Sequence, residues 1–178
     1  MNKDPKVLIK HSELIYAESQ VGAAIHELAA DVSRTLSGLE PVVICVMTGG
    51  LYLAGAILPK LQFPLEVDYV HASRYRGMIE GGQLEWLAEP HLDVEGRTIL
   101  LLDDILDEGH TLAAIRERLI VLGAMDVKIA VLVEKALDHT KPIGADFVGL
   151  EVPDRYVFGC GMDAYGWWRN LPEIRALK

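Results

Sequence analysis

Four carboxylates follow a run of apolar residues in one short stretch of the sequence. The segment ILLLDDILDEGHTL, residues 99–112, contains Asp103, Asp104, Asp107 and Glu108. Uninterrupted apolar residues are typical of a strand that is buried on both faces. Adjacent carboxylates suit a hydrated Mg²⁺ ion, and they are good acceptors for the hydroxyls of a sugar. The residue types therefore predict a site for a cation or a sugar where a buried strand ends.

The second half of this segment is a turn that opens a helix. Gly109 precedes a new apolar pattern that predicts a helix over about 109–122, and Gly123 suits a left-handed C-cap. The first backbone N–H groups of a helix and the positive end of its dipole suit a phosphate. Thr111 adds a hydroxyl, and His110 lies in the same turn. We therefore expect the turn to bind a phosphate.

Strands and helices alternate along the rest of the chain. Ser12 is the predicted N-cap of a helix over about 13–36, and a second helix is predicted over 51–61. Strands are predicted at 41–47, 65–72, 97–102, 127–133, 146–152 and 156–162. This alternation predicts an α/β fold with a mostly parallel twisted sheet and helices on both faces. Ligands of such sheets bind at the carboxyl ends of the strands, where the acidic turn must lie.

Composition and charge limit the classes of function. The chain has 178 residues, of which 51% are hydrophobic and 24% charged, as expected for a single globular domain. Its formal net charge of −9 disfavours nucleic acid as a partner, because phosphate backbones are bound by clustered Lys and Arg. No apolar run approaches the length of a membrane span, and the N-terminal segment lacks a secretion signal. We therefore expect a cytoplasmic location and no membrane partner.

Neither the cysteines nor the histidines indicate a disulfide or a metal site. Cys45 and Cys160 lie in apolar segments without CxxC spacing, so we interpret them as core thiols that form no disulfide. The six histidines show no spacing typical of metal ligands.

The acidic segment resembles the phosphoribosyl pyrophosphate (PRPP) motif of type I phosphoribosyltransferases. Four apolar residues, two acidic residues, two apolar residues, Asp, a variable residue, Gly, a variable residue and Thr follow one another in both. Over nearly its whole length the chain is also similar to hypoxanthine-guanine phosphoribosyltransferases. The segments that carry this similarity are VVICVMTGG, VDYVHASRY, VLVEK, DFVGLEVPD and WWRNLPEI, in that order.

The resemblance implies a domain organisation. One phosphoribosyltransferase domain would occupy residues 1–178, with a core at about 38–150 and a small hood from about 1–15 and 151–178. The polar, glycine-bearing stretch at about 73–95 would be a mobile active-site loop, with a short ribbon at 83–88. A homodimer or homotetramer is implied as well.

The resemblance also implies roles for the residues of the PRPP motif. Asp103 and Asp104 would contact the ribose hydroxyls and Mg²⁺. Asp107 would be the general acid/base that acts on N7 of the purine. The residues expected to bind the ribose and its 5'-phosphate are Asp103, Asp104, Asp107, Glu108, Gly109, His110 and Thr111.

The remaining roles concern the pyrophosphate and the purine. Pyrophosphate would contact Thr48, Gly49 and Arg169. The expected purine contacts are Lys135 at O6, Phe147 as a stacking ring, Val148 through its backbone, and Asp154, which would also serve a second Mg²⁺. Arg74 and Tyr75 would cap the closed site.

Three positions depart from the usual family pattern. Glu108 stands where Thr is common, so its carboxylate must turn away from the phosphate or part of the affinity is lost. Thr48 stands where some relatives have Lys, which leaves the pyrophosphate loop to backbone N–H groups and Mg²⁺. Arg74 and Tyr75 stand where Ser-Tyr is usual. These departures concern affinity and closure of the site rather than the type of reaction.

The expected function is Mg²⁺-dependent purine salvage. Hypoxanthine or guanine would react with PRPP to give IMP or GMP and pyrophosphate. Three alternatives stay open: a sister enzyme that prefers xanthine or a pyrimidine, a nucleotide-sensing regulator that keeps the PRPP fold, and a silent paralogue that serves as an oligomer partner. The regulator would need a basic face, which the net charge disfavours, and the retained Asp107 disfavours the silent paralogue.

Overall fold

The computed structural model of the chain describes residues 4–74 and 84–178. Its helices are α1 (Pro5–Lys10), α2 (Glu18–Leu36), α3 (Leu51–Ile57), which continues into a short 3₁₀ helix (Leu58–Lys60), and α4 (His110–Val121). Its strands are β1 (Ser12–Tyr16), β2 (Val42–Val46), β3 (Glu66–Arg74), β4 (Leu84–Ala88), β5 (Thr98–Leu106), β6 (Asp126–Ala136), β7 (Phe147–Pro153), β8 (Val157–Phe158) and β9 (Ile174–Leu177). None of the helices in these two ranges is long and apolar enough to span a membrane.

The central sheet has six strands in the order β4-β3-β2-β5-β6-β7. All neighbours run parallel except β4, which pairs antiparallel with β3 at its edge. The predicted α/β class with a mostly parallel sheet is therefore confirmed. The order also places β2, β5 and β6 side by side, so the polar residues after these strands share one edge of the sheet.

Both faces of the sheet are covered, as β5 shows. Leu100 and Leu102 pack into the core layer that contains α2 and α3, whereas Ile99 and Leu101 pack into the layer that contains α4. Side chains alternate between the two faces of a strand, so a continuous apolar run fills both layers. All four side chains are completely buried. A fully buried Leu or Ile contributes about 1.5–3 kcal/mol, so this strand is a main source of stability.

A second, three-stranded antiparallel sheet joins the two ends of the chain, in the order β1-β9-β8. The indole N–H of Trp168 donates to the carbonyl of Pro5 at 2.8 Å, which ties the segment before β9 to α1.

The predicted helix over 13–36 is wrong at its start. Ser12 begins a strand, and its hydroxyl accepts a hydrogen bond from Arg175 at 2.7 Å. Helix α2 begins only at Glu18, where the Gln20 side chain accepts from the backbone N–H of residue 17.

Part of the predicted loop at 73–95 is regular structure instead. Strand β4 confirms the short ribbon, since it pairs with the end of β3. Beyond β4, the carboxylate of Asp68 accepts hydrogen bonds from the backbone N–H groups of His91, at 2.6 Å, and Leu92, at 2.8 Å. These bonds fix the return of the chain towards β5. The segment 75–83 lies outside the described residues.

Both cysteines are free and buried, as the sequence predicts. Burial, together with the nearby Asp103 and Asp104 carboxylates, raises the pKa of the Cys45 thiol to about 11. Burial likewise raises the pKa of Cys160 to about 11. Because the thiolate is the reactive form of cysteine, neither residue is a nucleophile at neutral pH.

Candidate active site

The acidic pair lies inside β5 rather than in the turn after it. The strand continues to Leu106, four residues beyond its predicted end, and Asp103 and Asp104 are both buried. The backbone N–H of Asp104 donates to the Asp103 carboxylate at 2.9 Å. Burial raises the pKa of both carboxyl groups, and the neighbouring Asp104 carboxylate adds to the rise at Asp103. Two buried carboxylates with raised pKa values form a site that a cation would stabilise.

A turn after β2 passes directly over this pair. A Cβ atom on Gly49 would overlap the Asp104 carboxylate, and one on Gly50 would lie 2.6 Å from the carbonyl of Leu102. Glycine is thus required here because two backbones and a carboxylate meet in one place. The Met47–Thr48 peptide bond in this turn is cis. The turn places Thr48 and Gly49, which are predicted to contact pyrophosphate, beside the acidic pair.

Arg169 supplies positive charge from the other side of the pair. Its guanidinium lies 3.8 Å from Asp104 Oδ2 and donates to the carbonyl of Gly161 at 2.6 Å. It also donates to the carboxylate of Asp163, which fixes its direction. Asp163 was not among the predicted site residues; its only signal was an acidic residue six positions before the arginine in an aromatic tail.

The turn after β5 has the geometry expected of an anion site. Gly109 adopts a φ of 80°, and helix α4 begins at the next residue. The first N–H groups of a helix have no partner within it, and they point away from the helix start. A cavity of about 330 Å³ lies against this turn, lined by residues 46–49, 103–105, 107–112, Ala72 and Arg169. The structure thus brings together the predicted PRPP motif and the predicted pyrophosphate residues.

Glu108 has a partner that the sequence did not indicate. Nε2 of His139 lies 3.0 Å from Oε2 of Glu108, and Nδ1 of the same ring lies 3.2 Å from the Asp138 carboxylate. The hydrogen bond to His139 lowers the pKa of Glu108, and the same bond, aided by Asp138, raises the pKa of His139. A carboxylate and a protonated imidazole therefore stabilise each other beside the turn.

Lys135 joins the ends of β5 and β6. Its ammonium donates to Asp107 at 2.9 Å and lies 3.8 Å from Asp154, while the lysine side chain is only 11% exposed. A second ammonium, that of Lys141, donates to the carbonyls of Leu106 at 3.2 Å and of Lys135 at 2.7 Å. The predicted acid/base and the predicted O6 donor are thus in direct contact.

The structure does not bring Phe147 and Val148 to this cluster, which corrects their predicted roles. They pair with Ala130 and Val131 of β6, whereas Lys135 pairs with Val152. At about 3.3 Å per residue, Phe147 lies roughly 16 Å from the strand end that carries Lys135. Both side chains pack against the core, on opposite faces of the sheet. Only the last part of the DFVGLEVPD segment reaches the site, at Asp154.

An aromatic ring that the sequence analysis did not select follows Asp154 by two residues. Tyr156 is 45% exposed, and its ring stacks on that of Tyr165 at a centroid distance of 5.5 Å. Its signal in the sequence was an aromatic residue two positions after a Pro-Asp pair. Arg74 and Tyr75 were predicted to cap the closed site. The backbone of Arg74 ends β3, and Tyr75 lies outside the described residues.

Comparisons with known proteins agree with this geometry. The family model described as "Phosphoribosyl transferase domain" matches residues 11–165. The hypoxanthine-guanine phosphoribosyltransferase of Bacillus subtilis is 32% identical over 96% of this chain and 97% of its own length. The hypoxanthine-guanine-xanthine phosphoribosyltransferase of Tritrichomonas foetus is 32% identical over 93% of this chain and 91% of its own.

A solved structure gives the same result at the level of the fold. The hypoxanthine phosphoribosyltransferase of Staphylococcus aureus superposes with a TM-score of 0.89 at 26% identity, covering 97% of this chain and 95% of that one. The matches extend over nearly the whole chain and include every strand of the central sheet. The chain therefore belongs to the phosphoribosyltransferase family, and within it to the group of the hypoxanthine-guanine phosphoribosyltransferases.

Proposed function

We propose that the protein is a purine salvage enzyme that transfers the phosphoribosyl group of PRPP to hypoxanthine or guanine. The products would be IMP or GMP and pyrophosphate. The observation that carries this proposal is the contact of Lys135 with Asp107, at 2.9 Å, beside the cavity that contains the buried acidic pair. The names of the relatives from Bacillus subtilis and Aquifex aeolicus support the same activity.

The ribose and its 5'-phosphate would occupy the cavity over β5. Asp103 and Asp104 are acceptors for the ribose hydroxyls, and the N–H groups at the start of α4 are donors for the phosphate. Thr111, which lines the same cavity, supplies a hydroxyl donor. The motif would thus hold the sugar at its acidic end and the phosphate at its glycine end.

The donor set fits a Mg²⁺ ion that is shared with the substrate. Protein sites for Mg²⁺ use one or two carboxylates and leave the other positions to water and substrate phosphates. Asp103 and Asp104 would hold the ion, and residues 4–74 and 84–178 contain no group of three or more acidic, His or Cys side chains that would form a protein-only site. When bound, Mg²⁺ neutralises charge on the departing pyrophosphate. A second ion at Asp154 remains part of the proposal.

The protein's own groups would share the remaining work. As the bond between C1 of the ribose and the pyrophosphate breaks, negative charge grows on the leaving group, and Arg169 and the amides near Gly49 face it. A bond forms between C1 and the base, and Asp107 takes up or shares the purine proton. Lys135 donates to O6 of the base and, at the same time, orients Asp107.

The base also needs an aromatic face, which Phe147 in the core does not provide. We assign this role to Tyr156, because its exposed ring lies on the turn that carries Asp154. Hypoxanthine, guanine and xanthine all present O6, and the Tritrichomonas foetus relative is named for all three. A preference for xanthine therefore remains the main alternative.

Two further proposals concern the oligomeric state and the cellular location of the enzyme. The side chains of Val67 and Tyr69, which share one face of β3, are 53% and 43% exposed and support a homodimer or homotetramer that covers them. The free, buried cysteines support a cytoplasmic location, where disulfides are rare.

The test is a set of initial-rate assays with PRPP and five bases: hypoxanthine, guanine, xanthine, adenine and uracil. Nucleotide formation should be fastest with hypoxanthine or guanine and should cease when EDTA removes Mg²⁺. Adenine should be poor, because it presents a donor to Lys135 where the 6-oxopurines present an acceptor. Faster turnover of adenine or uracil than of both oxopurines would contradict the assignment, and faster turnover of xanthine would select the alternative.

A further inference from the structure

The contact between Glu108 and His139 joins the turn after β5 to the segment after β6. Glu108 follows β5 by two residues, and His139 follows β6 by three. The ring nitrogen and the carboxylate oxygen are 3.0 Å apart, and both side chains are about half exposed, at 52% for His139 and 54% for Glu108. The contact therefore spans the carboxyl ends of two neighbouring strands, at the rim of the cavity that Glu108 lines.

A carboxylate at this position opposes the binding of a phosphate. Glu108 directly precedes Gly109, whose left-handed conformation turns the chain into α4. The N–H groups of this turn attract an anion, whereas a carboxylate directed into the cavity would repel it. The direction of the Glu108 side chain therefore decides whether the turn attracts or repels a phosphate.

We propose that His139 is a positioning residue for PRPP, because it holds the Glu108 carboxylate at the rim of the cavity and leaves the backbone amides of the turn to the 5'-phosphate. This inference rests on the proposed binding of that phosphate by residues 107–111. It assigns a role to a residue that touches neither the substrate nor the reacting atoms. It also explains how the chain tolerates Glu where the family commonly has Thr.

Several charged groups act on this pair. The second ring nitrogen of His139 faces Asp138, and Glu108 also experiences the charges of His110 and Lys135. Glu108 and Asp138 raise the pKa of His139 above its usual 6.5, so the protonated ring is retained to a higher pH. As the pH rises through that raised pKa, the ring loses its charge and holds Glu108 less strongly. The KM for PRPP should therefore rise on the alkaline side.

The experiment is a double-mutant cycle read out as the KM for PRPP at saturating hypoxanthine. His139→Ala should raise this KM about two- to fivefold, as expected for the loss of one exposed charge contact, and should change kcat less. Glu108→Gln, which keeps the shape of the side chain without its charge, should lower the KM, because the charge that opposes the phosphate is gone. The double variant should match Glu108→Gln, because no carboxylate remains for His139 to hold.

The conservative variant His139→Arg provides a second readout. Arginine keeps a positive donor at every accessible pH, so its KM for PRPP should stay near the wild-type value at neutral pH. The alkaline rise in KM seen in the wild type should be absent in this variant. A merely structural role for His139 would not predict a flat pH profile for the arginine variant.

Two outcomes would overturn the inference, and they are distinguishable. If His139→Ala raises the KM by the same factor in the wild-type and Glu108→Gln backgrounds, His139 acts independently of Glu108 and the positioning role is wrong. Thr111→Val serves as the control for the phosphate site, because it removes a hydroxyl donor from the turn whatever His139 does. If Thr111→Val and Glu108→Gln both leave the KM unchanged in an active enzyme, the phosphate lies elsewhere, and the inference fails together with that placement.

Discussion

The side chains of Asp107 and Lys135 meet from the ends of two strands that are neighbours in space but lie 28 positions apart in sequence. In the proposed reaction, lysine at this place would have two functions, since it would orient the carboxylate that handles the proton and present a donor to O6. Its ammonium is nearly buried, so water competes little for its hydrogen bonds. At the scale of single residues, the proposed function would therefore couple selection of the base to proton transfer through one ion pair.

Asp107→Asn tests the proton-handling role. The amide is nearly isosteric and keeps an oxygen acceptor for Lys135, but it does not take up a proton from the purine. We expect kcat to fall about 10²- to 10⁴-fold, which is the usual contribution of a general acid/base group. The KM for PRPP should change much less. Steady-state kinetics with Glu108→Thr as the neighbouring comparison would check this; full kcat in the first variant and none in the second would reverse the two roles.

Tyr156→Ala and Phe147→Ala separate the two aromatic candidates. Loss of the exposed Tyr156 ring should raise the KM for the base about fivefold to tenfold with little change in stability, as expected for a lost stacking contact. Loss of Phe147 should instead destabilise the fold by about 3 kcal/mol, because its ring packs against the core. Thermal unfolding and base titrations on both variants decide between them. A raised KM in the Phe147 variant alone would restore the original assignment.

At the scale of elements, three segments converge on one carboxylate. The turn after β2 crosses Asp104 at Gly49, and a Cβ atom on Gly161 would overlap the carbonyl of Gly49. Arg169 reaches the same point from the segment before β9. The turn starts from the rigid strand β2, and Asp104 itself lies in β5, whereas Gly161 and Arg169 belong to the irregular segment between β8 and β9. The order of the site therefore depends on the close packing of these segments against one another.

Gly49→Ala should disrupt this convergence. The added methyl group would overlap the Asp104 carboxylate, so either the turn or Asp104 must move. We expect kcat/KM for PRPP to fall about 10²-fold, as displacements of about 1 Å typically cause. Gly55→Ala is the matched control, because a Cβ there meets nothing within 4 Å inside α3. It should keep full activity and stabilise the helix by up to about 1 kcal/mol; equal losses in both variants would contradict the steric argument.

Local patterns in the sequence predicted the elements whose partners are close in the chain. The run before Asp103 indicated a buried strand, and Gly109 and Gly123 bounded α4 to within one residue. Strand β1 was interpreted as helix because its apolar spacing fits both structures, and its partner β9 lies some 160 residues away. Phe147 was placed at the site because the segment around it resembles the family, and only strand register shows that it pairs with Ala130, far from the strand end that carries Lys135. His139 carried no signal, since its contact with Glu108 depends on the loop after β6.

At the scale of the whole molecule, an overall negative charge coexists with a site for anions. The net charge of −9 repels PRPP in general, so attraction must be local. Lys135, Lys141 and Arg169 supply it within the site, and the start of α4 adds its dipole. Local charge also contributes to stability near the β4 edge of the sheet, where the carboxylate of Asp68 accepts backbone hydrogen bonds.

Asp68→Asn tests that dependence. Burial tends to raise the pKa of Asp68, but hydrogen bonds from the backbone N–H groups of Leu92, Tyr69 and His91 outweigh it and lower the pKa. A lowered pKa in the folded state contributes stability above the unfolded value of 3.8, and that contribution is lost as the pH falls through the folded pKa. The variant should therefore be less stable by about 1–3 kcal/mol at pH 7. Denaturant unfolding should show that the difference in free energy of unfolding between the wild type and the variant shrinks below about pH 4. A difference that stays constant with pH would show that the charge of Asp68 is not its cause.

Trp168 immediately precedes Arg169 and is anchored by its indole N–H on the carbonyl of Pro5. An indole that is held on one side and attached on the other to Arg169, the residue proposed to contact pyrophosphate, is a spectroscopic reporter built into the protein. Pyrophosphate that draws Arg169 away from Asp104 should shift the environment of this ring and change its emission. A fluorescence titration with pyrophosphate and Mg²⁺ should give a saturable signal that Trp168→Phe abolishes and Trp86→Phe, in β4, preserves. Occupancy of the leaving-group site would then be measurable without labels, coupling enzymes or turnover.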